Sequence, residues 1–316
     1  MTGSRGLVWS LAWLLAAGWG AASEAQVGPA MVAKQVSASV WYVQGLSESG
    51  TPANQNFISN AGFVLTPQGV VVIDALGSPE LARRMLQVIR DITPLPVTHL
   101  IVTHYHADHI YGLQVFKAAG ARILAHRAAL DYLASDNART RLQASRQELA
   151  PWIDDRTQLV AADEWLDGPH SLNLGGMQID IRPLGPAHTA EDLVIHLPQE
   201  KVLFAGDLMF QGRLPFVGQA DSGKWISALD QLLAFQAQTL VPGHGAVSSA
   251  PAQDLELTRS YLLHLRAAMR HAAHHLEPFE AAYQAADWSK FEHLPTFAAI
   301  NRANAYNTYL LLERSP

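Results

Sequence analysis

Residues 97–109, which read VTHLIVTHYHADH, decide the fold. Their first half has the apolar pattern of a buried strand, and their second half is dense in side chains that bind metals. In extended backbone alternate side chains share one face, so we expect His104 and His106 to reach one ion together. Where the chain bends into the next helix, Asp108 and His109 can turn toward a second ion.

The chemistry of these four side chains suits zinc. Imidazole nitrogen binds zinc at about 2.0–2.1 Å and carboxylate oxygen at about 2.0–2.2 Å. A single histidine is more often an ordinary core or surface residue, but four ligand types packed this closely at a strand end favour a metal site.

Three later residues stand in similar settings, each after an apolar strand pattern. His188 lies in GPAHT, Asp207 in LFAGD and His244 in VPGHG. Binding residues gather on loops at one edge of a scaffold. We therefore predict that these three side chains join the cluster.

The order of predicted elements indicates two sheets with helices outside them. The strand patterns of the first half cover residues 39–44, 56–66, 70–74, 97–103 and 122–125. Those of the second half cover residues 172–174, 177–183, 193–197, 202–204 and 240–241. Helical patterns begin at Ser78 and cover residues 127–149, 225–235 and the chain from about residue 253 onward. Strands followed by helices, twice over, predict two sheets packed face to face.

The motifs HYHADH, GPAHT, LFAGD and PGHG, in this order, resemble the metallo-β-lactamase superfamily over about residues 36–248. The resemblance implies an α/β fold, an αββα four-layer sandwich, with two Zn²⁺ ions per chain. It implies that the first zinc is held by His104, His106 and His188, the second by Asp108, His109 and His244, and that Asp207 bridges both. Asp74 matches an aspartate that steadies the metal loop, and the alternative is a turn residue at a strand end.

The resemblance also implies a zinc-dependent hydrolase. A metal-bridged hydroxide would attack a carbonyl-type bond (ester, thioester, lactone or lactam) in a small-molecule substrate. Asp108 is the predicted catalytic residue, which would position the nucleophile and relay a proton to the leaving group.

The substrate has several alternatives. Enzymes of this superfamily that are specialised for β-lactams have cysteine or serine where this chain has Asp207, and many carry a nearby lysine that residues 208–213 (LMFQGR) lack. A bridging aspartate resembles glyoxalase II thioesterases, lactonases and, most in look, the SoxH-like or quinoprotein-relay zinc metallohydrolases. A β-lactamase that hydrolyses antibiotics, a mononuclear-iron persulfide dioxygenase-like oxidoreductase and an inactive scaffold are the alternatives. Flavodiiron proteins, with glutamate where His106 stands, are disfavoured.

Composition limits the partners and the compartment. Only 16% of the 316 residues are charged, the net charge is -6, and no run of lysine or arginine predicts a nucleic-acid partner. Arg5, an apolar stretch over residues 7–19 and small residues after it predict a signal peptide over residues 1–25. We expect a periplasmic or secreted hydrolase domain over residues 26–316, with a helical C-terminal extension and no membrane span after cleavage. The absence of cysteine excludes disulfides and thiolate ligands.

Other conspicuous side chains have simpler interpretations. Arg213 lies near the predicted site, but we expect an exposed, solvated arginine rather than an anion ligand. His271, His274 and His275 do not share one helix face, which favours a solvated helix end over a metal tract. A set of aromatic residues is expected to be core: Trp225, Phe235, Trp288 and Phe291.

Overall fold

Two β-sheets lie at the centre of the protein, and helices cover both outer faces. The structure is a computed structural model that describes residues 28–314. The predicted signal peptide lies outside these residues. The predicted αββα sandwich is confirmed.

The first sheet has its seven strands side by side in chain order. They are β1 Ala33–Gln35, β2 Val40–Val43, β3 Ala61–Thr66, β4 Gly69–Ile73, β5 Val97–Ile101, β6 Arg122–His126 and β7 Glu164–Leu166. The second sheet has the order β12-β11-β10-β9-β8. Its strands are β8 His170–Leu174, β9 Met177–Pro183, β10 Leu193–Leu197, β11 Val202–Phe210 and β12 Thr239–His244.

The helices divide between the two outer faces and a C-terminal group. Those that follow first-sheet strands are α1 Pro79–Ile92, α2 Ala107–Ile110, α3 Leu113–Ala118, α4 Ala129–Ala134 and α5 Asp136–Glu148. Those of the second half are α6 Ser222–Ala234, α7 Pro251–His275, α8 Phe279–Ala285 and α9 Phe297–Glu313. Within residues 28–314 no helix has both the length and the apolar character to span a membrane.

Strand β4 shows how the layers pack. Val71 faces inward to the apolar layer between the sheets, where Ile181 and Ile195 of the second sheet also lie. Val70 and Val72 face outward, into the cluster that includes Met85 of α1. Both faces of β4 are therefore buried, which explains why the strand is apolar throughout rather than alternating.

Helix α1 begins as its sequence predicts. Ser78 caps it by accepting a hydrogen bond from the Leu81 backbone N–H, and Pro79 occupies the first turn, where a missing N–H costs nothing.

Several predicted boundaries differ from the structure, and three of the differences are large. The strand predicted over residues 56–66 begins only at Ala61, because Gln55 and Asn56 have positive φ and form a turn. The helix predicted over residues 127–149 is two helices, separated where Ser135 adopts extended backbone and caps α5. Strand β11 runs to Phe210 rather than ending near Phe204.

Candidate metal centre

The structure brings all seven predicted ligand side chains to one place. His104 and His106 follow β5, and Asp108 and His109 belong to α2. His188 lies in the loop after β9, while Asp207 and His244 belong to the adjacent parallel strands β11 and β12. Their ligand atoms form two groups within which all atoms lie within 4.8 Å of one another: His104, His106, His188 and Asp207; and Asp108, His109 and His244.

In the first group, ring nitrogens point toward a common centre. His188 Nε2 lies 3.0 Å from His106 Nδ1. It also lies 3.5 Å from Asp207 Oδ2, and His104 Nε2 lies 3.7 Å from the same oxygen.

In the second group, Asp108 Oδ2 lies 3.3 Å from His244 Nε2 and 3.6 Å from His109 Nε2. Asp207 faces this group as well, since its Oδ1 is 3.2 Å from His109 Nε2 and its Oδ2 is 3.2 Å from His244 Nε2. The carboxylate of Asp207 therefore lies between the two groups and can reach a cation in either.

Unpartnered buried atoms show that the site fits a cation. His104 Nε2, His109 Nε2 and Asp207 Oδ1 are buried and have no hydrogen-bond partner among the described residues. The contact between the last two is short, but it does not have hydrogen-bonding geometry. Leaving a buried polar atom unsatisfied costs about 1–3 kcal/mol, and a bound cation would satisfy all three. Nitrogen and oxygen donors of this kind suit zinc.

The two groups differ in their electrostatics. Burial, together with the charge of His109, holds the pKa of His104 well below its usual range. Burial also lowers the pKa of His106, and it lowers that of His188 to about 3. These three imidazoles are therefore neutral near pH 7, which leaves lone pairs available for a metal.

The second group carries paired charges instead. Burial opposes a charge on His109, but the carboxylates of Asp207, Asp108 and Asp74 raise its pKa well above the usual value. Burial likewise opposes the charge of Asp207, yet His244 and His109 hold its pKa well below the usual range. In this group the positive charge of protonated His109 balances the carboxylates, as a bound cation would.

Asp74 fixes the position of the loop over residues 103–109. Its Oδ1 accepts a hydrogen bond from the Thr103 N–H at 2.8 Å, and its Oδ2 accepts one from the Thr103 hydroxyl at 2.8 Å. The same Oδ2 lies 2.9 Å from His109 Nδ1. The Nδ1 proton bonds to this carboxylate, so Nε2 is the nitrogen that would give up its proton and bind a metal on the side of the site. These contacts support the predicted steadying role of Asp74.

The turn over residues 54–60 supports the site, and sequence reasoning missed it. The Ser59 hydroxyl donates to the Asp108 carbonyl at 2.5 Å, and the Ile58 carbonyl accepts from His244 Nδ1 at 2.6 Å. Asn60 Nδ2 donates to the carbonyls of Pro242 and Gly245, both at 2.8 Å. The asparagine-rich NQNFISN segment was the available signal, because asparagine tolerates positive φ and bonds to nearby backbone.

Gly243 is needed for the approach of Asp207. A Cβ atom at Gly243 would lie 1.9 Å from Asp207 Oδ1, closer than any side chain permits. The glycine before His244 is therefore part of the site's construction.

Arg213 corrects one prediction, because it is buried and not solvated. Only 5% of it is exposed, and its Nη1 donates to the Glu48 carbonyl at 3.2 Å. Nη1 also lies 3.2 Å from His244 Nδ1, whose proton is already directed to Ile58. Among residues 28–314 it has no carboxylate within ion-pair distance, and its Nε has no partner. Burial lowers its pKa, but a guanidinium stays charged at neutral pH.

Aromatic rings pack around the ligands. Trp225 is buried as predicted, with its ring 4.9 Å from that of His188, and Phe210 stacks on His244 at 4.9 Å. Phe216, which the sequence analysis did not single out, is 38% exposed and lies 5.9 Å from the His106 ring.

The remaining predictions for the second half divide as follows. Phe291 is buried core, and Phe235 and Trp288 are partly buried against the apolar cluster to which Phe291 belongs. His271, His274 and His275 are exposed at the end of α7, as predicted for a solvated helix end.

Comparisons with known proteins agree with this geometry. The sequence profile of the metallo-beta-lactamase superfamily matches residues 55–244. A linear primary-alkylsulfatase of Pseudomonas sp. is 24% identical over 58% of this chain and 40% of its own length. A type 2 metallo-beta-lactamase of Bacillus cereus is 26% identical over 67% of this chain and 76% of its own length. The chain therefore spans less than half of the alkylsulfatase.

The fold of this chain is also similar to that of a solved structure. The metallo-beta-lactamase from Pontibacter korlensis superposes with a TM-score of 0.58 at 24% sequence identity, over 74% of this chain and 99% of that one.

Proposed function

This chain belongs to the metallo-β-lactamase superfamily, a family of hydrolases, and we propose that it is a dinuclear zinc hydrolase of small-molecule substrates. Its target would be a carbonyl-type bond, in an ester, thioester, lactone or lactam. The observation that carries the proposal is Asp207, whose two oxygens lie 3.2 Å from ligand nitrogens of the second group while one also faces the first. One carboxylate shared by two complete ligand groups suits a pair of ions.

Two zinc ions held by these groups would supply a water of lowered pKa and a positive charge for the oxygen of the substrate. The residues would act around that chemistry. Asp108 is the accessible acid, with 16% of its side chain exposed while Asp207 is 3% exposed. Burial works against its charge, but His109 and His244 lower the pKa of Asp108 below its usual value. An ionised, reachable Asp108 can accept a proton from water and pass it to the leaving group.

Backbone and side-chain partners would fix the histidines for this role. Asp74 binds His109 Nδ1 and the Ile58 carbonyl binds His244 Nδ1, so each ring presents Nε2 to the centre. His104 Nδ1 lies 3.0 Å from the Thr103 hydroxyl, which orients the third ring in the same way.

A second candidate activity is the hydrolysis of sulfate esters. The buried Arg213 favours it, since a cation without an acidic partner would pair well with a sulfate beside His244. One relative is named as an alkylsulfatase, which agrees with this reading.

Metal analysis and a substrate panel test the proposal together. We expect purified protein incubated with zinc to retain about two ions per chain and to hydrolyse at least one member of a panel of esters, thioesters, lactones, β-lactams and alkyl sulfates. Asp207→Ala should lose both zinc retention and turnover, whereas Asp131→Ala, an exposed acid on α4, should lose neither. Full zinc content and turnover in Asp207→Ala would refute the shared-ligand assignment, and turnover of sulfates alone would replace the carbonyl substrate with the second candidate.

A further inference from the structure

Phe216 is an exposed aromatic ring at the edge of the candidate metal centre. It is 38% exposed, and its ring meets that of His106 edge to face at 5.9 Å. Phe210 and Trp225 also pack on ligand rings, but both are fully buried and no substrate can touch them. A single exposed apolar side chain is ordinary in itself, so a role for Phe216 needs a second observation.

The second observation is that a buried side chain of helix α9, Asn304, hydrogen-bonds to the backbone on both sides of Phe216. Asn304 Oδ1 accepts from the Val217 N–H at 2.9 Å, and Asn304 Nδ2 donates to the Pro215 carbonyl at 2.8 Å. Asn304 is fully buried in α9, and the Tyr261 hydroxyl of α7 lies 3.0 Å from its Nδ2. Burying an amide is costly unless its bonds are made, and here they are made to the backbone that carries Phe216.

The loop over residues 211–221 is tied down along its length. The Leu214 N–H donates to the Pro295 carbonyl at 3.1 Å, just before α9 begins. The Asp221 N–H donates to the Ala187 carbonyl at 3.0 Å, next to His188. The position of the loop is thereby coupled both to the C-terminal helices and to a candidate ligand.

Gly218 leaves space for the ring of Phe216. Its φ is +50°, and a Cβ atom there would lie 3.0 Å from Phe216 Cε1. The ring therefore lies against the glycine, and a Cβ atom at this position would require it to shift by a few tenths of an ångström.

From these contacts we infer that Phe216 forms the apolar wall of the substrate pocket beside His106, and that Asn304 of α9 positions it. The inference rests on the proposed function and specifies its substrate class: a molecule with an alkyl or aryl group next to the bond that is cleaved. Phe216 itself lies within residues 55–244, the part that the superfamily profile matches, whereas Asn304, which positions it, lies beyond that part in α9.

Straight-chain carboxylates of increasing length are suitable probes, because the same head group carries different amounts of apolar surface. By isothermal titration of zinc-loaded protein, affinity should rise from acetate to octanoate by up to about fourfold for each methylene that reaches the ring. Phe216→Ala should weaken octanoate about tenfold and leave acetate within about twofold. Gly218→Ala, which requires the ring to shift by a few tenths of an ångström, should act in the same direction but less strongly.

The matched control is Tyr306→Ala. Tyr306 is a 45% exposed aromatic of α9 that packs on Phe279, and its removal should leave the chain-length series unchanged. Zinc content and turnover of p-nitrophenyl acetate test the proposed function separately, and we expect Tyr306→Ala to keep both at the wild-type level. For p-nitrophenyl octanoate Phe216→Ala should raise KM with little change in kcat.

Two results would overturn the inference while the proposed function stands: octanoate binding wild type no more tightly than acetate, or Phe216→Ala binding octanoate as wild type does. Weakening of acetate and octanoate by the same factor would also count against it, since this would indicate general damage to the site rather than loss of an apolar wall.

Discussion

Replacing Asp74 by asparagine should impair zinc binding at the His109 side of the site without disturbing the fold. The substitution keeps the shape of the side chain, and asparagine tolerates the positive φ of 62° at this position. The Thr103 N–H can still donate to the amide oxygen in place of Oδ1. The change therefore falls on Oδ2, the atom that lies 2.9 Å from His109 Nδ1.

An amide nitrogen in place of Oδ2 donates where the carboxylate accepts. His109 would then carry its proton on Nε2, and this nitrogen could no longer offer a lone pair to a metal. Loss of such an orienting partner costs about 10- to 100-fold in metal affinity, which is about 1.4–2.7 kcal/mol. The weakening should affect one of two zinc ions, because the first group has no contact with Asp74 other than through Thr103.

Competition with a chromophoric chelator measures this directly, since it resolves two zinc affinities per chain. We expect one affinity to stay at the wild-type value and the other to fall by the stated factor. Asp180→Asn is the matched control. Asp180 lies in β9, away from the site, and it also accepts hydrogen bonds from two side chains, those of Ser171 and Gln178. Two unchanged zinc affinities in Asp74→Asn would refute the tautomer argument.

Further predictions concern a ligand, a glycine, a buried acid and the metal itself. His106→Ala should lower zinc retention by about one ion per chain and abolish turnover while circular dichroism stays that of wild type, and His126→Ala should do neither; intact turnover would remove His106 from the site. Gly243→Ala should lower the free energy of unfolding by about 1–3 kcal/mol and weaken zinc binding, because its Cβ atom would clash with Asp207. Gly168→Ala, which has open space around it, should change both little. Equal urea midpoints for the two variants would contradict this packing argument. Burial raises the pKa of Asp192 to about 8, so the folded metal-free protein binds that proton more tightly than the unfolded chain does. The resulting stability is present below about pH 4 and is lost as the pH rises through about 8. The free energy of unfolding in urea of wild type, relative to that of Asp192→Asn, should therefore fall across that range. A constant difference would mean that Asp192 is ionised throughout. Chelation of zinc should lower the melting temperature by an amount that grows with the zinc concentration used for comparison, and no shift would exclude tight binding to the folded state.

The sequence indicated which seven side chains would come together, because its signals are local. Each of His188, Asp207 and His244 follows an apolar strand pattern in the sequence, which placed them at one edge of a sheet, although Asp207 and His244 belong to β11 and β12 themselves. The layers were predictable for a similar reason, since apolar runs such as β4 must be covered on both faces.

The turn over residues 54–60 was not predictable from the same signals. Its role depends on backbone atoms of Ile58 and side chains of Ser59 and Asn60 that meet partners far along the chain, such as Pro242. A period-two pattern does not distinguish such a turn from the strand that follows it. Arg213 was misplaced for a related reason: a charged residue is normally solvated, and only tertiary packing shows that Glu48 and His244 enclose this one.

The site is also where the two sheets are joined. His104 and His109 come from the β5 side, whereas His188, Asp207 and His244 come from the second sheet. Beside them the Leu193 N–H donates to the Thr103 carbonyl at 2.9 Å, and the Asn60 N–H donates to the Gly243 carbonyl at 2.7 Å.

A cation held by both groups would therefore cross-link two layers that otherwise meet through apolar packing and the few hydrogen bonds just described. Because the unfolded chain has no such preformed site, the free energy of metal binding adds to that of folding. The same geometry that suits the centre to metal binding would thus make a bound cation part of the sandwich, and it would satisfy the buried nitrogens of His104 and His109, which have no hydrogen-bond partner among the described residues.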